Sequence, residues 1–198
     1  MLDGDFEIHL TVLADPRLAG VAAAHGVKYT HIVLDRGTTP DQPMLTLRAR
    51  GPLAVVVAEG QAWTERLTRH GFTVVRVKVE ASPFNAGVPR HDAEAPPQRY
   101  FEHHVKLVLD TADIETARDI SLRHTAHLSR NARRGDAGGR HERFVTQRCH
   151  GCGRTQARRR LDALVAELTA AGLAIVEVEQ EYVVLDSNPA VDAGWIAA

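Results

Sequence analysis

Residues suited to acid–base and anion chemistry recur at matching places in the two halves of the sequence. His9 and His104 each end a Phe-Glu-x-His pattern, and the residues that follow the two patterns also match. The other matched pairs are His31 with His127, Thr46-x-Arg48 with Thr146-x-Arg148, Gly51 with Gly151, and Glu80 with Glu181. So many matches in the same order predict that the chain is two copies of one unit.

The matched residue types are those that hydrolysis of a phosphoester requires: a general base, a general acid and cations on the phosphoryl oxygens. The candidate acid–base residues are His9 and His104, with His31 and His127 as second candidates. The candidates for substrate binding are Arg48, Arg148, Lys106, Thr46, Thr146, Ser129 and Arg130. Glu80, Glu181 and Glu179 are candidates for orienting the histidines or for holding a divalent metal, Mg²⁺ or Mn²⁺. For each histidine, the competing interpretation is a hydrogen-bonded structural residue.

Hydrophobic periodicity predicts the elements that position these residues. Apolar and polar side chains alternate in residues 6–12, which predicts a half-buried strand. Further strands are predicted over residues 27–34, 44–50 and 72–80, and helices over residues 15–24 and 53–70. Gly26 and Gly71 follow the two helices as terminators. The order βαββαβ is that of a ferredoxin-like unit.

The second half repeats this order after a linker. Residues 81–99 contain four prolines and lack periodicity, which is typical of a connecting segment. Strands are predicted over residues 100–109, 126–132, 142–150 and 173–185, and helices over residues 113–123 (with Asp113 as the cap) and 155–171. A Gly-rich basic turn covers residues 133–141, and a tail follows residue 185. The predicted units are residues 1–80 and residues 100–198, joined by the linker.

The predicted fold is therefore α+β: a tandem duplication of a ferredoxin-like βαββαβ unit whose two antiparallel sheets face a shared polar cleft. Polar side chains on the uncovered sheet faces would also be expected if those faces were simply solvated. Solvation explains the runs of Glu and Arg well. It explains less well why histidine and Thr-x-Arg recur at matched positions, whereas a sheltered cleft would shift pKa values and bind anions.

Two short motifs resemble those of the 2H phosphoesterases. His9-Leu10-Thr11 and His127-Leu128-Ser129 have the His-x-Thr/Ser form that this family carries once in each lobe of a duplicated α+β unit. The motifs lie here on non-equivalent predicted strands, because the equivalent strands carry His104-Val105-Lys106 and His31-Ile32-Val33. The resemblance implies paired histidines that act on a phosphoester in a shared cleft.

The CYTH-type triphosphate tunnel enzymes are similar in another respect. They place Glu-x-Glu-x-Lys on the first strand of a charged tunnel, and Glu102-His103-His104-Val105-Lys106 differs by having histidine at the second acidic position and by lying mid-chain. Glu177-x-Glu179-x-Glu181 would match an acidic, metal-holding wall. Both resemblances cover short motifs and the general plan, and both imply a phosphate-bearing substrate between two lobes.

Two further groupings contain metal-ligating residue types. His104, His127 and Glu181 would form a 2-His-1-carboxylate site if the strands brought them together. Cys149 and Cys152 have CxxC spacing, but a structural zinc site takes four ligands and the sequence has no second CxxC. Since Cys149 aligns with Ala49 at an inward position, a role in core packing is favoured.

Length and composition limit the classes of function. The 198 residues are 44% hydrophobic and 25% charged, as in an ordinary soluble globular protein. The net charge of −1 argues against a protein that binds nucleic acid through bulk electrostatics. The acidic start of the chain and the absence of a long apolar run argue against a secretory signal and a membrane span, so a cytoplasmic location is expected.

The sequence thus predicts a phosphoesterase or phosphohydrolase that acts on a small phosphate-bearing molecule, such as a nucleotide or an RNA end, in the cleft between the repeats. The alternatives are a non-catalytic module that binds a nucleotide or another anion, a metal-dependent enzyme with the 2-His-1-carboxylate site, and a duplicated structural or interaction domain. The enzyme and binding hypotheses both require His9 and His104 to converge with Arg48 and Arg148 around one void.

Overall fold

Eight antiparallel strands form one closed barrel in the computed structural model, which describes residues 1–133 and 139–196. The first half contains β1 (Asp3–Val12), α1 (Leu18–His25), β2 (Lys28–Leu34), β3 (Asp41–Pro52), α2 (Leu53–Arg69) and β4 (Val74–Ala81). The second contains β5 (Tyr100–Asp110), α3 (Asp113–Arg123), β6 (Ala126–Asn131), β7 (Arg140–His150), α4 (Arg154–Ala170) and β8 (Ala174–Asp186). Short 3₁₀ helices lie at Asp92–Glu94 and Pro189–Asp192. The predicted α+β class is confirmed, and each half has the order βαββαβ.

The two halves share one sheet, which corrects the prediction of two sheets that face each other across a cleft. The strand order around the barrel is β1-β3-β2-β6-β7-β5-β8-β4, so β2 pairs with β6 and β4 pairs with β8. In an isolated ferredoxin-like unit, β2 and β4 would be edge strands with unpaired N–H and C=O groups. Pairing each edge with its counterpart satisfies those groups and encloses the polar faces in a lumen.

Several element boundaries differ from the prediction for local reasons. The first helix begins at Leu18 rather than at residue 15, because Asp15 accepts hydrogen bonds from the backbone and guanidinium of Arg17 and holds a turn. β3 begins at Asp41 rather than at residue 44, because its first residues pair with β2. Asp113 is the first residue of α3 and not its cap, although a carboxylate in the first turn still favours the helix dipole.

The hydrophobic core lies between the barrel wall and the helices that cover it. Strand alternation directs Ile8 and Leu10 outward into this layer while their neighbours point into the lumen. Val105 and Leu107 do the same in the second half, where they pack with Leu161 of α4. The residue pair Cys149 and Cys152 is buried in the first core cluster and forms no disulfide. No helix in the described part of the chain combines the length and apolar character needed to cross a membrane.

The segment that follows β8 lies across one end of the barrel. Trp195 donates from its indole N–H to the carbonyl of Leu128 at 2.8 Å and packs with Leu34. Gly37, with φ of 117°, approaches the segment so closely that a Cβ there would lie 3.1 Å from the carbonyl oxygen of Ala193. We call residues 187–196 the tail and this end of the barrel the closed end. The opposite end, at Glu7 and the C-terminal part of β3, is the open end.

Candidate functional site in the barrel lumen

The barrel lumen is a cavity of about 350 Å³ to which all eight strands and the tail contribute. Its ionisable lining residues are Glu7, His9, Lys28, Arg48, Arg76, Lys78, Glu80, Glu102, His104, Lys106, Arg148, Glu177, Glu179, Glu181 and Asp192. Seven of these are carboxylates and six are lysine or arginine, so the two signs of charge nearly balance. The lumen therefore presents both signs of charge, rather than the excess of cations expected of a simple anion-binding tunnel. A second hollow, of about 490 Å³, lies at the open rim beside Glu7 and Arg48.

The predicted histidines occupy equivalent places in the lumen. His9 on β1 is opposite Thr46 on β3, and its Nδ1 lies 2.9 Å from the Thr46 hydroxyl. His104 on β5 is opposite Thr146 on β7, and the corresponding distance is 3.1 Å. Because the two strand pairs have the same register, each half presents a histidine and a threonine to the lumen in the same way.

The two histidines differ in what their other nitrogen meets. Nε2 of His9 lies 2.5 Å from Oε2 of Glu80, and since an ionised carboxylate can only accept, this nitrogen donates. Nδ1 of a neutral His9 then accepts from Thr46. Nε2 of His104 lies 3.3 Å from Oε1 of Glu102 and 3.5 Å from Oε2 of Glu181, so it has no comparably short partner. His9 is thus held in place, whereas His104 is available to bind a ligand.

Carboxylates from both halves meet beside His104. One ligand atom each from Glu80, Glu102 and His104 lies within 4.8 Å of the other two. The ammonium of Lys78 lies 2.6 Å from Glu80 Oε1 and 2.6 Å from Glu102 Oε1, so it neutralises both carboxylates. Two carboxylates and an imidazole are ligands that Mn²⁺ and Mg²⁺ accept in proteins. The donor set fits a divalent cation, provided that Lys78 gives up its place between the carboxylates.

The ionisation of this cluster is set by competition between burial and charge. Burial would raise the pKa of Glu102, but Arg148 and Lys78 outweigh it and hold the pKa well below the ordinary range. Burial likewise opposes ionisation of Glu80, whose pKa is nevertheless lowered by Lys78 and His9. Burial and the neighbouring Glu80 raise the pKa of Glu181 well above that of an ordinary carboxyl group. The site therefore places two carboxyl groups with lowered pKa values beside a third whose pKa is raised.

Two arginines at the closed end are fully engaged by carboxylates. Arg148 contacts Glu102 at 2.5 Å and Asp192 at 2.6 Å, while Arg76 contacts Asp192 at 2.8 Å and binds Asp186 through two nitrogens. Tyr100 donates to Asp186 as well, at 2.8 Å. Burial works against these charges, but the carboxylates raise the pKa of both guanidinium groups. The sequence singled out Arg148 for substrate binding, and the structure pairs its guanidinium with Glu102 and Asp192.

The open end carries cations that are less constrained. The Arg48 side chain is 87% exposed and contacts Glu7 through one nitrogen at 3.2 Å. Lys106 lies 3.1 Å from Glu142 and over the ring of Phe144. Lys28 lines the lumen and, among the described residues, has no carboxylate within ion-pair distance. Arg48 and Lys28 can turn toward a ligand without breaking a buried ion pair, whereas Lys106 would have to leave Glu142.

Most of the other predicted site residues also reach the lumen. Thr46, Thr146, Ser129, Glu179 and Glu181 line the same cavity as the two histidines and the two arginines. The condition for the enzyme and binding hypotheses, convergence around one void, is therefore met. The structure says where these side chains lie, and their roles stay predictions.

Three predicted residues, His31, Arg130 and His127, do not line the lumen. His31 lies on the outer face of β2, where it pairs with Asp41 at 3.1 Å, so the expectation that it faces the shared cleft is not met. Arg130 is exposed on β6 and does not line the cavity. The basic turn predicted over residues 133–141 falls partly on residues 134–138, which lie outside the described residues.

His127 points inward but lies beneath the tail, across Thr146 of β7 from His104. Its Nδ1 accepts a hydrogen bond from Arg36 at 2.9 Å, and its ring lies 6.0 Å from that of Trp195. Burial, Arg36 and Arg148 lower its pKa to about 4. His127 lines a separate small pocket, so the structure does not assemble the 2-His-1-carboxylate site expected from His104, His127 and Glu181.

Sequence reasoning did not select Lys78, Arg76, Glu102 or Asp192 as site residues. Arg76 and Lys78 alternate with valines along the strand that ends at Glu80, and Glu102 is two residues before His104. Strand parity predicts these three on the same polar faces as the selected side chains, but it gives no reason to choose them. Asp192 follows a strand end and lies in no periodic segment, so its position depends on how the tail folds back.

No protein-family model and no curated protein matches the chain. Among solved structures, the small subunit of acetolactate synthase from Thermotoga maritima is 14% identical over 92% of this chain and 95% of that chain, with a TM-score of 0.29. Chlorite dismutase from Candidatus Nitrospira defluvii is 15% identical over 92% of each chain, with a TM-score of 0.29. An anthrone oxidase-like protein is 10% identical over 93% of this chain and 92% of that chain, with a TM-score of 0.32. Likenesses at these scores carry no argument about function.

Proposed function

We propose that the lumen binds a small phosphate-bearing molecule together with a divalent cation and hydrolyses a phosphoester or phosphoanhydride bond in it. The observation that carries this proposal is the convergence of His9 and His104 with Glu80, Glu102 and Glu181 at the middle of one enclosed cavity. Carboxyl groups whose pKa values are shifted in opposite directions, beside histidines in a sheltered cavity, are characteristic of sites that move protons.

Glu80, Glu102 and His104 would hold the cation, Mg²⁺ or Mn²⁺. Such a cation polarises a phosphoryl oxygen and lowers the pKa of a bound water. Lys78, displaced from between Glu80 and Glu102, would move its ammonium to the phosphate oxygens. His9 fixes the orientation of Glu80 through the 2.5 Å hydrogen bond.

The remaining side chains divide between substrate binding and proton transfer. Arg48, Lys28 and Lys106 face the lumen from the open side and would bind outer phosphate oxygens. Glu181, whose pKa is raised by burial and by Glu80, would donate its proton to the leaving oxygen. Small phosphates, nucleotides and an RNA end share the required group, a terminal or bridging phosphate.

We also propose that the barrel arose by tandem duplication of a single βαββαβ unit. The support is the equivalent placement of His9 with Thr46 and of His104 with Thr146, on strand pairs of the same register. A barrel whose halves were unrelated would have no reason to repeat this arrangement.

Phosphate release from inorganic tripolyphosphate, pyrophosphate, ATP, a cyclic nucleotide and a 5′-phosphorylated RNA, each with Mg²⁺ or Mn²⁺, tests the function. We expect metal-dependent release from at least one, and a loss of at least about 100-fold in His104→Ala, in line with a general acid–base or ligand role. His31→Ala is the matched control, because that histidine lies outside the lumen. Binding without turnover would favour the non-catalytic module, and equal activity in both variants would overturn the proposal.

A further inference from the structure

The tail places a carboxylate in a pocket built to bind an anion. Asp192 is 2% exposed and accepts hydrogen bonds from Arg76 at 2.8 Å, from Arg148 at 2.6 Å and from Gln42 at 2.8 Å. The three donors come from β4, β7 and β3, so both halves of the barrel contribute. Two guanidinium groups and an amide converging on one carboxylate are the arrangement that proteins use for phosphate and carboxylate ligands.

Asp192 is not needed to balance the charge of this region. Without it, the cations Arg76, Lys78 and Arg148 face three carboxylates, Asp186, Glu80 and Glu102. If Asp192 left, Arg76 would keep Asp186 and Arg148 would keep Glu102, so no buried charge would lose all its partners. The large cost that usually accompanies the opening of a buried ion pair therefore does not apply here.

The tail can also leave without disturbing the barrel. The ladder between β4 and β8 ends at Asp186, and none of the later residues up to 196 belongs to a strand of the barrel. The start of the tail is bound to β4 through Ser187 and Asn188, whose N–H groups donate to the carbonyls of Val77 and Val75 at 3.0 Å. Beyond them the tail is held by the Asp192 contacts, the hydrogen bonds from Thr38 N–H to the Ala193 carbonyl and from the Trp195 indole, and the burial of Trp195 and Ile196. Its release exchanges these contacts for water but breaks no strand pairing.

We propose that Arg76, Arg148 and Gln42 form a second anion subsite of the lumen, and that Asp192 is an internal competitor that a phosphate group displaces. The ligand is the phosphate chain of the substrate, and to that extent the inference rests on the proposed function. A molecule with several linked phosphates would reach from the cation site at Glu80 and Glu102 to this subsite, and binding would release the tail.

Trp195 reports on the tail directly. The chain has two tryptophans, and Trp63 lies on α2 outside the lumen, so Trp63→Phe leaves Trp195 as the only one. Titration of this protein with inorganic tripolyphosphate, without metal, should change Trp195 fluorescence in a saturable way as the ring moves from its buried site into water. In the same background Asp192→Asn should bind tripolyphosphate about tenfold more tightly, because the competing charge is gone.

Asp162→Asn is the matched control, since Asp162 pairs with Arg158 on the exposed side of α4 and should leave the affinity unchanged. Thermal unfolding establishes that each variant folds, and Asp192→Ser provides a second variant that removes the charge. The inference is overturned if neither protein binds tripolyphosphate, if Asp192→Asn binds it no more tightly, or if binding leaves Trp195 fluorescence unchanged.

This test separates the two proposals. Saturable binding with release of the tail, but no phosphate release with any metal, would support the subsite and reject the hydrolase. If phosphate release is metal-dependent but Asp192→Asn does not alter the affinity for tripolyphosphate, the result would support the hydrolase and identify the tail as a structural cover.

Discussion

Arg48 and Arg148 are matched residues of the two halves that lie in opposite environments, one exposed and one buried. Arg48 is 87% exposed at the open end and touches Glu7 alone, whereas the Arg148 side chain is 8% exposed at the closed end and joins Glu102 to Asp192. The sequence around the two is similar, and the strand register is the same. The difference comes from the tail, which covers one end of the barrel and supplies the second carboxylate. Equivalent residues can thus be an exposed cation in one half and a cation buried among carboxylates in the other.

The largest expected effect is on stability, and it should separate these two arginines. Arg148→Ala removes two buried charge-assisted hydrogen bonds, although Glu102 keeps Lys78 and Asp192 keeps Arg76, and should lower the free energy of unfolding by about 3 kcal/mol. Arg48→Ala removes an exposed ion pair and should lower it by less than about 1 kcal/mol. Urea unfolding of both variants measures the difference. Similar losses of stability in the two variants would contradict the claim that Arg148 belongs to a buried ion-pair network and Arg48 does not.

The next largest effect concerns the dependence of stability on pH, and it should separate His127 from His31. The pKa of His127 is lowered to about 4 by burial and by two arginines, compared with about 6.5 in an unfolded chain. Below pH 6.5 His127 is therefore protonated in the unfolded state but neutral in the native state, so the free energy of unfolding falls as the pH drops toward 4. Between pH 8 and pH 5 this group should remove about 2 kcal/mol.

His127→Gln should abolish that share of the pH dependence, and His31→Gln should leave it intact. Unfolding measured at several pH values in both variants provides the comparison. His103, which is buried between Gln147 and Gln180 outside the lumen, contributes a loss of the same sign because burial lowers its pKa to about 4. A wild-type stability that does not change between pH 8 and pH 5 would contradict both assignments.

The smallest expected effect is on stability, and it should be the same for two matched threonines of the two halves. Thr46→Val and Thr146→Val each remove one hydrogen bond to a lumen histidine, at 2.9 Å and 3.1 Å. Each should cost about 1 kcal/mol of stability, and the two costs should be equal within about 0.5 kcal/mol. Thermal or urea unfolding tests this equality. A large difference would mean that the matched geometry does not reflect matched environments.

The sequence was informative wherever one strand face was apolar and the other polar. Residues 6–12 and 100–109 alternate cleanly, so His9 and His104 could be placed on the polar face, where the structure has them. β2 carries polar and apolar side chains on both faces, with Lys28 and Thr30 inward and Tyr29 and His31 outward. The hydrophobic pattern of β2 therefore does not show which of its side chains face the lumen, and for that reason His31 was predicted on the wrong face.

Closure of the barrel and the position of the tail could not be predicted from periodicity. The pairing of β2 with β6 and of β4 with β8 joins edges through backbone hydrogen bonds, which leave no pattern in side-chain types. Asp192 reaches Arg76 and Arg148 because the chain turns back after Asp186. That turn depends on the three-dimensional arrangement of the barrel end and is not encoded in local spacing.

The measurement that tests the central claim most directly is calorimetric titration of tripolyphosphate into the protein with and without Mn²⁺, for wild type and His104→Ala. If the lumen holds phosphate and cation together, Mn²⁺ should tighten wild-type binding by at least about tenfold, an energetic coupling of about 1.4 kcal/mol. His104→Ala should lose this metal effect while His31→Ala keeps it. Binding that neither Mn²⁺ nor His104→Ala alters, or no binding at all, would contradict the assignment of the lumen as a metal-dependent phosphate site.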